Sequence, residues 1–207
     1  MEKSANNFPN PKEKQSMLCS AFRHFHTITT HRHQVIVHCF RAGIGWQGLF
    51  HDLSKYSWTE FRMGIRYYQG KRSPNEAERE TIGYSVAWMH HKGRNRHHFE
   101  YWNDVNPQTK CYEAVEMPLN FMIEMFCDRV AACKIYRGKV YNDSSALEYY
   151  LRGNAKNIMH PSTARELERL LRLLADQGEA AAFAETKRML KEGKRTARNK
   201  LDEPSAK

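Results

Sequence analysis

The stretch Phe50-His51-Asp52-Leu53-Ser54-Lys55 places a vicinal histidine and aspartate at the end of an apolar run, Ile44-Gly45-Trp46-Gln47-Gly48-Leu49-Phe50. Such a run carries the pair into or beside a core. A carboxylate and an imidazole leave water only if partners compensate them. The fold must therefore supply partners, and a divalent metal is one. The sequence is rich in further ligands. Its eleven histidines fall mostly into three groups, His24 to His38, His51, and His90 to His98.

From Ser16 the hydrophobic periodicity is helical almost to the end, with no run of alternating β-branched residues and no internal repeat. The expected class is all-α, a single-domain helical bundle. Its body spans residues 15–192, between a disordered polar segment 1–14 and a disordered charged tail 193–207. Two helices are expected before Gly43, over Gln15–His26 and from an N-cap at Thr29 or Thr30. A short helix follows over Trp46–Asp52. Ser57-Trp58-Thr59-Glu60 has the capping-box spacing and predicts a helix ending at Gly70. Ser73-Pro74-Asn75-Glu76 predicts another, Asn75 to about His91, and residues 103–117 read as a loop. Pro118 opens a helix to Arg137, Ser144–Leu151 forms a short one, and Thr163 caps one running to Gln177. A last helix covers about Glu179–Glu192.

The 207 residues suffice for one well-buried domain. No apolar stretch is long enough to span a bilayer, and the N-terminus has no signal-peptide core, so a cytoplasmic protein without membrane partners is expected. The five cysteines include no C-x-x-C pair, which disfavours zinc-ribbon and disulfide-framework readings. The net charge of +10 raises the possibility of nucleic-acid binding. Much of the excess, however, lies in the tail from Lys187 to Lys200.

His31 and His38 are seven residues apart, on nearly the same helix face. Asp128 is an acidic residue on the apolar stripe of Phe121, Met125 and Ala132. The resulting order of His31, His51-Asp52 and Asp128 resembles that of the HD-domain superfamily of metal-dependent phosphohydrolases. His51-Asp52-Leu53-Ser54-Lys55 is close to its central signature, His31 with Val35 resembles its first-histidine helix, and Cys127-Asp128-Arg129-Val130 its last ligand. More narrowly, His31 to Ala132 resembles a small uncharacterised bacterial and phage family, through Gly48 to Lys55 and His91 to His98. The interval from His31 to His51 is shorter than the superfamily's usual one, which leaves the first ligand open between His31 and His38.

The resemblance implies a helical HD-type domain holding one or two ions of Mn, Fe, Co, Ni or Zn. His31, His51, Asp52 and Asp128 are the expected ligands, and His91 and His98 join them as second-metal or phosphate ligands. His38 is the alternative first ligand, able instead to meet substrate. Asp52 and Lys55 are the expected catalytic pair, Asp52 bridging or orienting water and Lys55 stabilising charge on phosphate. Lys55, Arg94, Arg96 and His97 are candidate phosphate contacts, with Glu100 and Trp102 as wall residues. The implied activity is hydrolysis of a nucleotide or other small phosphate ester. Two alternatives use the same residues differently: a diiron oxygenase on the HD fold, and a non-enzymatic basic module binding nucleic acid.

Overall fold

The computed structural model describes residues 11–70 and 72–202. The protein is predominantly all-α, 74% helical. Helix α1, Pro11–Ala42, is one continuous helix of 32 residues where two were expected. Neither Thr29 nor Thr30 begins a helix, since both lie inside α1. Thr27 Oγ1 donates to the Arg23 carbonyl, one turn back, at 2.9 Å, and Thr29 Oγ1 bonds the Tyr56 hydroxyl at 3.0 Å. With no glycine or proline between them, nothing breaks the helix. His24, Ile28, His31, Val35, His38 and Ala42 are all buried, a stripe at three- and four-residue spacing that faces the rest of the protein.

Gly43, at φ 91°, ends α1 in the left-handed region that glycine adopts freely. Helix α2, Gly45–Gly48, folds back onto α1 so closely that a Cβ on Gly48 would lie 2.4 Å from that of Cys39. The expected helix to Asp52 stops there. His51 and Asp52 lie in the turn that follows, and Asp52 itself is left-handed at φ 54°. Aspartate tolerates that region better than most residues. A 3₁₀ turn, Leu53–Tyr56, leads to α3, Trp58–Arg66.

Helix α4, Pro74–Ile82, starts with Ser73 accepting a hydrogen bond from the Asn75 amide, as its sequence predicts. The helix does not run on to His91. Gly83 turns at φ 85°, and Ser85 caps a separate α5, Val86–Lys92, by accepting from the Trp88 amide at 2.9 Å. The 103–117 segment holds an antiparallel hairpin, β1 (Asn103–Val105) and β2 (Tyr112–Ala114), with Asp104 opposite Glu113. Helices α6 (Leu119–Arg137), α7 (Ser145–Arg152) and α8 (Ala155–Ile158) precede α9, Pro161–Asp202. Gly178 interrupts α9 at φ 79° and ψ 176°, close to the predicted boundary between two helices. Of the segments expected to be disordered, 1–10 and 203–207 lie outside the described residues. Residues 11–14 belong to α1, and 193–202 continue α9.

Helix α6 is the centre of the bundle, packed between α1 and α9. Met122, Ile123, Met125, Phe126, Cys127, Val130 and Ala131 are all buried, so it is enclosed on most sides. Leu167, Leu170, Leu171 and Leu174 of α9 are wholly buried against it and complete one continuous core. Among the described residues, no helix is long and apolar enough to cross a membrane.

Candidate metal centre

His31 comes from the buried stripe of α1 and Asp128 from the facing side of α6, and their Nε2 and Oδ1 atoms lie 2.9 Å apart. The left-handed turn at Asp52 brings its carboxylate to the same place. His51 Nε2 is 3.2 Å from Asp52 Oδ2 and 3.6 Å from Asp128 Oδ1. Ligand atoms of His31, His51, Asp52 and Asp128 all lie within 4.8 Å of one another. Lys55, three residues after Asp52, places Nζ 2.7 Å from Asp52 Oδ2.

The other oxygen of Asp52 faces a second group. Its Oδ1 lies 3.2 Å from His91 Nε2 and 3.4 Å from His97 Nε2. Together with His98 these form another set of ligand atoms within 4.8 Å. Asp52 is therefore common to both sets, one oxygen toward each.

Two further carboxylates set the direction of the imidazoles, and one of them, Glu124, forms a third close set of possible ligand atoms with His51 and His97. His51 Nδ1 bonds Glu124 Oε1 at 2.8 Å, and His97 Nδ1 lies 3.2 Å from the same oxygen. Gln47 donates to the other oxygen of Glu124 at 2.5 Å, and Asn120 holds Gln47 at 2.7 Å. Glu60 accepts from His91 Nδ1 at 2.8 Å and from His90 Nδ1 at 2.7 Å. With each Nδ1 proton on a carboxylate, the Nε2 lone pairs of His51, His91 and His97 point inward, the arrangement that ligating histidines need. Glu60 had been read as half of a capping box. The box does not form: the Ser57 side chain makes no cap, its backbone amide bonds the Ser54 carbonyl at 2.9 Å, and the Glu60 carboxylate is committed to the histidines.

Six of the inward atoms, Nε2 of His31, His51, His97 and His98 and both oxygens of Asp52, are buried and make no well-formed hydrogen bond. Their close contacts are ion pairs among themselves and with Asp128, His91 and Lys55. Buried polar atoms are normally paired, so a concentration of orphans needs a cause. The charges point the same way. Burial would raise the Asp52 carboxyl, but His51, Lys55 and His91 outweigh it and hold it well below the usual carboxylate range. Burial is likewise outweighed at Asp128 by the facing imidazoles of His31 and His51, which hold its carboxyl well below the usual range. Burial lowers His31 despite Asp128, and lowers His98 strongly with the help of His97 and His91. His31 and His98 thus resist protonation. At His51 and His91 burial is outweighed, above all by Asp52, and both imidazoles are raised, so the ionised carboxylates draw positive charge into the cluster. A cation that accepts nitrogen and oxygen lone pairs satisfies carboxylates and imidazoles alike, and the buried cluster can hold a metal ion.

A cavity of about 950 Å³ opens onto the cluster, reached by His31, Lys55, His91, His98 and Asp128. His24, seven residues before His31, lines it further along, its Nε2 packed so close to Gly64 that a Cβ there would lie 2.0 Å away. Three expected residues stand elsewhere. His38 is not the first ligand: Nδ1 bonds the Cys127 carbonyl at 3.2 Å and Nε2 bonds Gln34 at 2.9 Å, facing Lys134 rather than Asp128. Arg94 and Arg96 are exposed and do not line the cavity; Arg94 caps the His90 carbonyl at 3.2 Å, and Arg96 sits over Tyr101. His97, expected to meet phosphate, lies inside the second ligand set. Glu60 and Glu124 were not anticipated. A burial signal did exist for Glu124, which precedes Asp128 by one helical turn in an otherwise apolar stretch.

The chain belongs to the family of unknown function DUF5662, whose sequence profile matches residues 20–173. That span contains every residue of both ligand sets and extends well past the His31–Ala132 stretch in which a resemblance was read. No curated protein and no solved structure matches the chain.

Proposed function

We propose that this protein is a metal-dependent phosphohydrolase of the HD type, acting on a nucleotide or other small phosphate ester. The observation that carries the reading is the convergence of orphaned imidazole nitrogens on the two oxygens of Asp52. His31, His51, Asp52 and Asp128 would hold one ion, and His91, His97, His98 and Asp52 a second. The mixture of imidazole and carboxylate suits Mn, Fe, Co, Ni or Zn. When bound, such ions lower the pKa of water and polarise a phosphoryl oxygen.

The chain's own residues do the rest. Asp52, fixed by its left-handed backbone, presents one oxygen to each ligand set. Glu124 and Glu60 keep the Nδ1 protons, so the imidazoles cannot rotate away. Burial would lower the Lys55 ammonium, but Asp52 and Asp128 raise it above its ordinary value. Lys55 therefore stays cationic and holds its proton. Its place at the cavity edge suits charge on phosphate oxygens. The cavity volume accommodates a metabolite rather than a polymer.

Elemental analysis of the purified protein, followed by a phosphoester screen with each metal added back, tests this. About two ions per chain and hydrolysis lost in Asp52→Ala are expected; full hydrolysis by metal-free protein would sink the reading. The carboxylate shared by two histidine-rich sets also fits a diiron oxygenase. Stoichiometric iron, with turnover that consumes oxygen and releases no phosphate, would favour that second reading.

A further inference from the structure

Beyond the ligand sets, the wall of the cavity carries two more polar groups without partners. Glu100 lies in the 3₁₀ turn Phe99–Tyr101, and Arg129 follows Asp128 on α6. Both line the cavity. Oε2 of Glu100 and Nε of Arg129 are buried, and neither has a hydrogen-bond partner among the described residues. Burial raises the Glu100 carboxyl above its ordinary value, the Arg129 charge opposes this, and the two make no hydrogen bond with one another. Arg129 is held from one side, its guanidinium 5.7 Å from the centre of the Tyr150 ring. That ring is anchored in turn, its hydroxyl donating to the Ala164 carbonyl at 3.2 Å.

A buried acceptor and a buried donor on the wall of one cavity limit what can satisfy both. An anion would meet Arg129 but be repelled by Glu100, and a cation would meet the reverse. A hydroxyl does both at once: it donates its proton to the carboxylate and accepts from the guanidinium. We propose that Glu100 and Arg129 form a hydroxyl-recognising subsite, and that the substrate is a phosphorylated polyol, such as a sugar phosphate or the sugar of a nucleotide, rather than an alkyl or aryl phosphate. The inference rests on the hydrolase reading for the phosphate end and on the two orphaned groups for the other. A site built to hydrogen-bond a hydroxyl discriminates strongly against analogues that lack it, because its own groups are then left unpaired.

The test compares ribose 5-phosphate with pentyl phosphate, which matches it in carbon count, on protein loaded with Mn²⁺. Hydrolysis is followed by phosphate release and binding by calorimetry. Wild-type protein should favour the sugar phosphate by about 100-fold or more in kcat/KM. Glu100→Ala and Arg129→Gln should cut that preference at least tenfold, chiefly through KM, and Glu100→Gln should restore part of it through its remaining acceptor oxygen. The melting temperature of Glu100→Ala should hold or rise, since an unsatisfied buried group is removed; a purely structural role would lower it and leave the preference intact. Hydrolysis of both esters without preference would overturn the subsite and leave the hydrolase reading standing. Tighter binding of ribose 5-phosphate, erased by Glu100→Ala but with no phosphate released, would keep the subsite and sink the hydrolase reading. Equal binding of the two esters without hydrolysis would overturn both.

Discussion

His31 and His38 occupy the same buried stripe of α1, two turns apart, and each faces α6. Their surroundings are opposite in kind. Around His38 the polar atoms answer one another: Gln34 and the Cys127 carbonyl take its two nitrogens, while Lys134 and Arg41 both pair with Glu179. That network ties the far half of α9 to α1 and α6. Around His31 the polar atoms converge on Asp52 and meet mostly one another, six of them buried without a well-formed hydrogen bond. The two histidines themselves are alike in burial and in helix face. Satisfaction is what differs, and it separates a network that holds helices together from one shaped to hold something else.

The sharpest way to break the contrast is to remove the shared carboxylate. Asp52→Ala should lose both ions, whereas His38→Gln should keep both, as read by elemental analysis of the purified proteins. Unfolding with and without metal gives a second measure. At about 1,000 times its Kd, an ion that binds only the folded state stabilises it by about 4 kcal/mol, an increment wild type should show and Asp52→Ala should lack. If His38→Gln lost the metal as well, the two regions would be one site and the contrast would fail.

Lys55→Ala should act on rate rather than on metal content. Its ammonium is an electrostatic group aimed at the cavity, and removing such a group costs about 10²–10³ in kcat. Steady-state kinetics on metal-saturated protein checks it. A loss confined to KM would instead make Lys55 a binding group.

Glu124→Gln should give a smaller effect on the ions themselves. The carboxylate oxygen that accepts from both His51 and His97 becomes one end of an amide, and the other end can no longer accept from Gln47. Partners of this kind are worth about 10–100-fold in metal affinity. Gln34→Ala, which removes the equivalent partner of His38, should leave affinity within about twofold of wild type. Competition with a chelator measures both.

How far the site could be read from the chain depends on where each partner lies. His31, His51-Asp52 and Asp128 were legible because ligands at polar breaks in apolar patterns stand out one residue at a time. Glu124 and Glu60 did not, since each holds a histidine 73 or 31 residues away and only the fold reveals the pairing. His38 was indistinguishable from His31 because a seven-residue interval sets the face of a helix and says nothing of what faces it. Helices α6 and α7 followed their periodicity. Helix α1 was expected as two because a threonine that caps and one inside a helix that bonds another segment, as Thr29 bonds Tyr56, look the same in sequence. The hairpin strands, three residues each, are too short for alternation to register.

The smallest effect concerns protons in the satisfied region. Burial, reinforced by Lys134 and Arg41 against the Cys127 carbonyl and Glu179, lowers the His38 pKa from 6.5 to about 4. Between those values the unfolded chain takes up a proton that the folded protein refuses, so stability is whole above about pH 6.5 and declines as pH falls toward 4. From about pH 7.5 to 5.5 the His38 share of that decline amounts to about 1 kcal/mol. His38→Gln keeps a polar side chain for Gln34 and the Cys127 carbonyl but has nothing to titrate. Its urea midpoint should therefore fall less over this interval than that of wild type, with metal present throughout at saturation. Parallel curves would mean that His38 accepts its proton in the folded state, and that the region taken here as self-sufficient rearranges around a charge much as the ligand cluster would around an ion.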